Sequence, residues 1–327
     1  MNTHKTILFT GSNAGQRTLG QGLASPWLTA LKNGYVVTST FSSDSCPDIL
    51  ICVDWNRRCR RLVLAARRKS IKTVLIVLEP SIVLPDNSSP RVRGLFDLVL
   101  DVGRPFSRPS LPWPQTWHEP PQDGPSRESK RAVMIQSAKR SFLAGQLYGL
   151  RASFAHTNNN LDVFGHDWQE PITRRTLRVA VELIRAVTSP MAIDLSALRT
   201  SFLKPKNYLG HVENKFITMS KYRVAIVIEN SQEYMSEKFF DALFSGCIPV
   251  YVGPNLEAFG IPANLYIQAD ANKRSLSQAM DRAFEIDYSA WITRCQSFLA
   301  NSQTKQFWEE GQVHQRLLDK ALSSTDR

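Results

Sequence analysis

The residue of this chain whose type and position most suggest chemistry is a lysine in the first turn of a predicted helix. Residues 222–228 form an apolar run that predicts a buried parallel strand, and Glu-Asn-Ser follows at 229–231. Ser236 then predicts an N-cap, and Glu237 opens a helix that carries Lys238. Because open α/β sheets bind ligands beyond the carboxyl ends of their strands, this segment indicates a ligand site.

Lys238 would give that site the means to bind phosphate. A cation in the first helical turn opposes the helix dipole at a cost of about 0.3–1 kcal/mol, which favours a functional reason for its presence. Together with the free amide groups of a helix N-terminus, an ammonium group would bind a diphosphate. A solvated lysine that tolerates the small penalty explains the residue as well, and this segment alone slightly favours that alternative.

The full segment resembles the donor-binding motif of the α1,3-fucosyltransferases, glycosyltransferase family 10. In that family a strand ends in Glu-Asn-(Ser/Thr), the sequence Tyr-x-(Ser/Thr)-Glu-Lys opens a helix, and Ile-Pro-(Val/Ile)-Tyr-x-Gly forms the next strand. This chain has the three parts in the same order, at 229–231, 234–238 and 248–253. The loop between the first two parts is shorter than in other members.

The resemblance implies a GDP-fucose donor and a role for each matched residue. Lys238 and a cation near Lys206 would hold the diphosphate. Asn230 and Glu237 would contact the ribose or the fucose, and Tyr234 would contact the nucleotide. A nucleotide-sugar donor and a glycan acceptor are therefore the expected binding partners.

A second segment carries the same resemblance. Residues 207–215 resemble the family's Asn-x-x-Gly-x-Val-x-x-Lys sequence, and several members place an arginine directly before its asparagine. Here Lys206 takes that position, with Lys204 two residues earlier. Because a lysine supplies a point charge and lacks the planar fork of an arginine, the resemblance implies the charge but not a bidentate contact.

Glu79 is the expected catalytic residue. It follows a predicted strand at 73–78 and precedes Pro80, a context that by itself only ends a strand. The fucosyltransferase family has a glutamate in a similar Glu-x-Pro or Glu-Ser-Pro context, and that glutamate is the proposed general base. A carboxylate that takes the proton of an attacking hydroxyl typically accelerates transfer by ~10²–10⁴-fold. The resemblance therefore implies that Glu79 activates the acceptor.

The implied reaction is a single displacement that moves L-fucose from GDP-β-L-fucose to a glycan hydroxyl and inverts the anomeric centre. The expected linkage is α1,3 to an N-acetylglucosamine or glucose unit. No acidic pair of the metal-chelating kind stands out in the sequence, so no cofactor is expected to be required and a divalent metal would be at most stimulatory. Two alternatives stay open: a GT-B enzyme that uses another nucleotide sugar, and a catalytically silent carbohydrate-binding protein of the same fold.

The elements needed to position these residues follow a strand–helix alternation. It predicts an α/β protein of the GT-B type, with two Rossmann-like domains that face each other across a cleft. We expect an acceptor domain at 1–103, a proline-rich linker at 104–130, a donor domain at 131–303, and a final helix at 304–327 that packs back on the first domain. Further strands are expected at 6–10, 34–39, 48–53, 96–101, 132–135 and 161–164, and helices at 17–31, 55–70, 142–155, 173–187, 274–286, 288–300 and 304–322.

The formal charge of +11 over 327 residues allows three kinds of partner: nucleic acid, an anionic membrane surface or an anionic nucleotide sugar. No zinc finger, helix-turn-helix or RNP sequence is present, so no nucleic-acid partner is expected. The arginine-rich helix at 55–70 could lie on anionic head groups, although a solvated basic face is favoured. Because no apolar run is long enough for a membrane span or a secretory signal, we expect a protein of the cytoplasm that is at most peripheral to the membrane.

Overall fold

The computed structural model describes residues 5–12, 34–38, 46–104, 110–122, 131–189 and 191–323. The chain divides into two compact units, one formed by Met1–Trp117 with Lys305–Arg327 and the other by His118–Thr304. Each unit contains its own parallel sheet with helices between the strands. The helix expected at 17–31 lies outside the described residues.

The sheet of the first unit has six strands. They are β1 (Thr6–Thr10), β2 (Val36–Thr38), β3 (Ile49–Val53), β4 (Lys72–Val77), β5 (Leu98–Val102) and β6 (Ser110–Leu111). All pairs are parallel, in the order β2-β1-β3-β4-β5-β6. Every residue of β3 is buried, which is what a continuous apolar run predicts for a central parallel strand. The short strand β6 lies within the expected proline-rich linker, at the sheet edge where such sequence can still pair.

The helices of the first unit begin with α1 (Arg60–Arg68), which follows a short 3-10 turn, and α2 (Pro90–Arg93). Val63 and Ala66 of α1 are buried in the core, and Leu62 packs against the same core. The first and last arginines of the helix are exposed. None of the large apolar side chains of α1 is exposed, so the helix has a basic outer face, which agrees with the favoured alternative.

The sheet of the second unit also has six strands. They are β7 (Ala132–Ile135), β8 (Leu161–Phe164), β9 (Tyr208–Gly210), β10 (Val224–Ile228), β11 (Ile248–Val252) and β12 (Ile267–Gln268). Its helices are α3 (Tyr148–Thr157), α4 (Ile172–Val187), α5 (Ser196–Thr200), α6 (Lys215–Met219), α7 (Lys238–Phe244), α8 (Lys273–Glu285) and α9 (Tyr288–Ala300). The parallel strands are ordered β12-β11-β10-β7-β8-β9, so the strand order reverses between β7 and β10. Open α/β sheets bind ligands in the crevice at such a reversal.

The start of α3 differs from the prediction of a helix at 142–155. The helix begins only at Tyr148, because the preceding residues pair with other loops. Gln146 forms an isolated β-bridge with Ser231, directly after β10. The long loop after β7 is thereby held beside the polar residues that end β10.

The helix expected at 304–322 is two helices, α10 (Ser302–Trp308) and α11 (Glu310–Ser323). The break between them falls at Glu309, which forms a β-bridge with Gln115. α11 belongs to the first unit, where its apolar side is buried and the ammonium group of Lys72 donates to the carbonyl of Ala321. Along the ranges that the structure describes, no helix is long and apolar enough to cross a membrane.

Candidate functional site

Polar residues gather at the carboxyl ends of β7 and β10, where the strand order of the second sheet reverses. Glu229 directly follows β10 and is fully buried. Its backbone amide donates to the carbonyl of Val252 at 2.8 Å, so the pairing of β10 with β11 continues for one more residue. The Glu229 side chain is therefore carried to the edge of the sheet on rigid strand backbone.

Ser236 joins Glu229 to Lys238. The Ser236 amide donates to Glu229 Oε1 at 2.9 Å, and its hydroxyl donates to Oε2 at 2.7 Å. Lys238 Nζ donates to the same hydroxyl oxygen at 2.7 Å and lies 3.5 Å from Glu229 Oε2. The N-cap predicted for Ser236 is wrong: Glu237 occupies the N-cap of α7, and no side chain caps the helix. The buried carboxylate of Glu229 accepts from the Ser236 amide and hydroxyl instead. The hydroxyl oxygen can then accept from the ammonium group of Lys238 and orient it.

The charged groups of this cluster keep one another ionised. Burial alone would lower the pKa of Lys238, but the carboxylates of Glu237 and Glu229 raise it above its usual value. Burial would likewise raise the pKa of Glu237, but the positive charge of Lys238, and to a smaller extent those of Lys215 and Lys139, lower it. The ammonium group is therefore charged at neutral pH, as a phosphate-binding group must be.

Lys238 also has capacity to bind a ligand. An ammonium group has three N–H donors, and among the described residues Lys238 makes one hydrogen bond, to Ser236. Its contacts with Glu229 and Glu237 are 3.5 and 3.8 Å, longer than hydrogen bonds. Since the side chain is 22% exposed, an anion can reach the remaining donors.

Gly253 and Tyr251 show why the third part of the motif needs its particular residues. The Tyr251 hydroxyl donates to Glu229 Oε1 at 3.4 Å, and burial followed by the Glu229 carboxylate raises the pKa of this phenol well above its usual value. A methyl group at Gly253 would lie 2.4 Å from the Tyr251 hydroxyl and 2.8 Å from Glu229 Cγ. Only glycine leaves room at this position for the side chains that hold the cluster.

Arg151 belongs to the site although the motif did not indicate it. Its guanidinium donates to the carbonyl of Ile228 at 2.6 and 3.0 Å and to Asn230 Oδ1 at 2.9 Å. Burial lowers its pKa, but an arginine remains charged at neutral pH. The predicted donor residue Asn230 is thus oriented by a buried cation.

The helix around Arg151 contains a signal that could have indicated it. Tyr148, Arg151, Phe154 and Ala155 are the buried residues of α3. Their spacing places the arginine in the middle of an otherwise apolar helix face. A charged side chain at such a position must have a buried partner. Because α3 follows the first strand of a Rossmann-like unit, that partner is expected near the ligand crevice.

Arg151 and Tyr148 also line a pocket in the second unit. The loop after β7 contributes Lys139 and Arg140 to its wall, and α5 with the following residue contributes the hydroxyl groups of Thr200 and Ser201. The Arg140 guanidinium donates to the carbonyl of Ser201 at 3.1 Å. Basic and hydroxyl groups around one cavity suit an anionic ligand that carries hydroxyl groups.

Lys206 does not lie with the other predicted donor residues. It precedes β9, at the amino-terminal edge of the parallel sheet, where its Nζ donates to Asn159 Oδ1 at 2.9 Å. Asn159 precedes β8 at the same edge, whereas Lys238 follows the carboxyl end of β10. The length of the strands therefore separates Lys206 from Lys238. Arg151 is a cation that the structure does place near the Lys238 cluster.

Tyr234 and Glu237 occupy different depths. Tyr234 is only 2% exposed, so it has almost no surface to offer a nucleotide. Glu237 is partly exposed beside Lys238. The nucleotide contact expected of Tyr234 stays a prediction that its burial does not favour.

Glu79 lies in the first unit, directly beyond β4. Its backbone amide and that of Leu78 donate to Asp54 Oδ1 at 3.0 and 2.8 Å. Asp54 is fully buried, with a left-handed backbone at φ 55°, a conformation that aspartate tolerates better than most residues. Asn87 Nδ2 donates to the same oxygen at 2.8 Å and to the Glu79 carbonyl at 3.2 Å. The backbone of Glu79 is thus held firmly, and its role as general base stays a prediction.

Solved glycosyltransferases share this fold. The crystal structure of an α1,3-fucosyltransferase matches with a TM-score of 0.59 at 14% identity, covering 99% of this chain and 92% of that chain. Its complex with GDP-fucose gives 0.58 at 14% identity, covering 100% and 93%. HepE of Anabaena, in complex with UDP and glucose, gives 0.55 at 12% identity, covering 98% and 100%.

Sequence comparison gives a shorter match. No protein-family model matches the chain. A putative fucosyltransferase-like protein of Arabidopsis thaliana is 33% identical over 82 residues, which are 22% of this chain and 16% of that protein. The chain therefore matches only a small part of the length of this curated relative.

These comparisons define the class of the protein: the chain has the GT-B fold of glycosyltransferases, as the strand–helix alternation predicted. Within that class its structure resembles an α1,3-fucosyltransferase along the whole chain. The resemblance that the motif at 229–253 indicated is thereby confirmed at the level of the fold.

Proposed function

We propose that the chain is an inverting glycosyltransferase that moves L-fucose from GDP-β-L-fucose to a hydroxyl group of a glycan. The observation that carries the proposal is the cluster of Glu229, Ser236 and Lys238 beyond β10. The same residues match the donor motif of the α1,3-fucosyltransferases, and a solved member in complex with GDP-fucose shares the fold.

Lys238 would stabilise the departing GDP. When the bond between the anomeric carbon and the phosphate oxygen breaks, its electron pair stays on the diphosphate as negative charge. A cation that is already held in place stabilises this charge without further reorganisation. Ser236 and Glu229 hold the ammonium group of Lys238 in that way, with donors left for the phosphate.

Glu79 would act on the acceptor. As the glycan hydroxyl attacks the anomeric carbon, its proton passes to the carboxylate of Glu79, and the new glycosidic bond forms with inversion. The resemblance to the family assigns this role, and the hydrogen bonds from the backbone of residues 78 and 79 to Asp54 provide the rigid support that a general base needs. An α1,3 linkage to N-acetylglucosamine or glucose is the linkage that we propose.

A UDP-sugar donor is the second candidate. HepE, solved with UDP and glucose, shares the fold at a TM-score of 0.55, close to that of the fucosyltransferase. The fold therefore does not distinguish the two donors, and the motif at 229–253 is what favours GDP-fucose. A silent carbohydrate-binding protein of the same fold would bind glycans without nucleotides.

We further propose that transfer requires no added cofactor and takes place in the cytoplasm. In this proposal the cation Lys238 supplies the charge that stabilises GDP, supported by the buried Arg151. Activity that survives a chelator, with at most a modest gain on adding Mg²⁺ or Mn²⁺, would support the first point. Fractionation of the source cells would test the second.

Thermal shift measurements test the donor. A ligand that binds only the folded state raises the melting temperature. GDP and GDP-fucose are expected to raise it, and GDP-mannose, UDP and UDP-glucose are not. The Lys238→Ala variant is expected to lose the shift, whereas the matched variant Lys206→Ala, at the other edge of the sheet, is expected to keep it. A shift with UDP ligands alone would favour the second candidate, and no shift with any nucleotide would favour the carbohydrate-binding protein.

Turnover measurements test the base. Glu79→Gln is expected to keep the shift with GDP and to lower transfer by ~10²-fold or more, because only the proton acceptor is removed. Near-normal turnover in this variant would contradict the role of Glu79 while leaving the donor site untouched.

A further inference from the structure

One surface of the second unit is apolar where a polar surface is expected. Among the described residues thirteen large hydrophobic side chains are exposed, and nine of them lie between 172 and 202. Five are on α4: Ile172 at its first position, and Leu177, Val181, Ile184 and Val187, which are 65, 53, 66 and 71% exposed. Helices at a protein surface normally turn polar and charged residues to the solvent. A concentration of this kind marks an interaction surface.

Four of these side chains, from Leu177 to Val187, form a single stripe. Their spacing of four, three and three residues places them on one side of a helix with about 3.6 residues per turn. The other side of α4 is committed to the unit, because Arg175, Val179 and Ala186 are buried there. The helix therefore has one packed side and one open apolar side.

The apolar surface continues in the segment after α4. Ile193, Leu195, Leu198 and Phe202 are exposed there, on and around α5. The guanidinium of Arg175 donates to the carbonyl of Phe202 at 3.0 Å, which ties this segment to α4. We call the four side chains of the stripe and the four exposed side chains of residues 193–202 the α4 surface.

The charges beside the α4 surface are basic. α4 contains four arginines and one acidic residue, Glu182. Helical periodicity places Arg174, Arg178 and Arg185 along one flank of the stripe. Arg178 forms ion pairs with Asp167 and Glu170, and Arg185 lies 3.6 Å from Glu182. Arg174 is exposed and is in none of these pairs, and Arg199 on α5 is exposed as well.

We propose that the α4 surface binds an anionic lipid bilayer, with α4 lying in the plane of the interface. An amphipathic helix of this kind places its apolar side at the boundary between head groups and acyl chains, while basic side chains contact lipid phosphates. The basic helix α1 lacks the first requirement, because Val63 and Ala66 are buried in the core and none of its large apolar side chains is exposed. We therefore place the membrane contact on α4 of the second unit and not on the helix at 55–70 of the first unit.

Charge decides between a membrane and a second copy of the chain. Pairing two α4 surfaces would bring two arginine-rich flanks together in a protein whose formal charge is +11. An anionic lipid surface complements the same charges. This inference does not depend on the identity of the donor sugar.

Vesicle co-sedimentation of the full chain tests the inference. The wild type is expected to bind vesicles of phosphatidylcholine with phosphatidylglycerol and not vesicles of pure phosphatidylcholine, with binding that weakens as salt is added. The double variant Leu177→Ser/Ile184→Ser is expected to lower the bound fraction roughly tenfold, because the apolar contact is lost. The matched variant Ile217→Ser removes a side chain that is 61% exposed on α6 of the same unit, and it is expected to bind like the wild type.

Three results would overturn the inference: no binding by the wild type, equal binding by the double variant, or equal loss in the Ile217→Ser control. Sedimentation velocity measures the oligomeric state of the wild type and of the double variant. A wild-type dimer that becomes a monomer in the double variant, without vesicle binding, would show that a second copy covers the surface. The thermal shift of the double variant with GDP is expected to be unchanged, which separates this inference from the proposed function and confirms that the variant is folded.

Discussion

The ammonium group of Lys238 donates a 2.7 Å hydrogen bond to the hydroxyl oxygen of Ser236. That hydroxyl donates in turn to the buried carboxylate of Glu229, also at 2.7 Å. Through these two hydrogen bonds Ser236 fixes the ammonium group of Lys238 relative to the rigid end of β10. Its loss should therefore change ligand binding as well as stability.

Ser236→Ala is expected to lower the free energy of unfolding by about 1–3 kcal/mol, because it removes a donor to a buried carboxylate. Affinity for GDP should fall roughly tenfold, the factor that corresponds to 1.4 kcal/mol, since Lys238 loses its only short hydrogen bond to a described residue. Urea unfolding and titration calorimetry measure the two effects. Ser245→Ala is the control: its hydroxyl donates to the Asp241 carbonyl outside the cluster, so it should leave GDP affinity unchanged. Wild-type affinity in Ser236→Ala would rule out the orienting role.

Asp54→Ala is expected to destabilise the first unit by about 2–4 kcal/mol. The substitution removes one oxygen that accepts three hydrogen bonds, and it places alanine at a left-handed φ of 55°. Asp54→Asn keeps an acceptor oxygen and tolerates this backbone, so its loss of stability should be smaller. If Asp54 positions Glu79, Asp54→Asn should lower kcat while GDP affinity is retained. An unchanged kcat in a destabilised variant would leave Asp54 with a structural role alone.

His314 should make the protein sensitive to acid. Burial lowers the pKa of this imidazole to about 4, whereas it is ~6.5 in an unfolded chain. Between these values the unfolded state binds more protons, so stability is complete above ~pH 6.5 and is lost as the pH falls towards 4. The loss amounts to roughly 3 kcal/mol. The His314→Leu variant, whose new side chain would lie near Leu317 and Leu318, should lack this loss. The difference between its free energies of unfolding at about pH 7.5 and pH 4.5, measured with urea, should be smaller than that of the wild type by about this amount. An identical pH dependence in the two proteins would contradict the prediction.

Gly253→Ala and Gly311→Ala should shift stability in opposite directions. A methyl group at 253 would meet the Tyr251 hydroxyl at 2.4 Å, so about 1–3 kcal/mol of stability and part of the GDP affinity should be lost. At 311, within α11, no heavy atom lies within 4 Å of an added methyl group. Alanine there should raise the free energy of unfolding by ~0.5–1 kcal/mol without changing GDP binding. Thermal unfolding with and without GDP measures both, and a tolerated Gly253→Ala would contradict the packing explanation of the motif.

Local patterns predicted the strands and the donor motif well. Continuous apolar runs such as those of β3 and β10 are buried on both faces. A strand covered on both faces needs apolar side chains at every position, and this pattern can be read from a few consecutive residues. The order of polar residues after β10 was likewise readable, because a strand, a short loop and a helix follow one another directly in the chain.

The structure differs from the sequence-based expectations mainly where a contact joins distant parts of the chain. Arg151 lies 79 residues before its partner Asn230, and nothing near it in the sequence matches the motif. Lys206 was assigned to the site from its neighbours in the sequence, but the parallel direction of β9 carries it to the opposite edge of the sheet from Lys238. The start of α3 shifted for the same reason, because the residues before Tyr148 pair with the loop after β10.

The sequence by itself determined the α/β class, most strand positions and the residues that match the fucosyltransferase donor motif, because apolar runs and short motifs act over a few residues. Only the tertiary structure decided that Ser236 orients Lys238 instead of capping α7, that Asp54 holds the backbone of Glu79, and that α4 leaves an apolar side open. Each of these depends on which side chains burial and hydrogen bonding bring into contact, and residue type and spacing alone do not give those contacts.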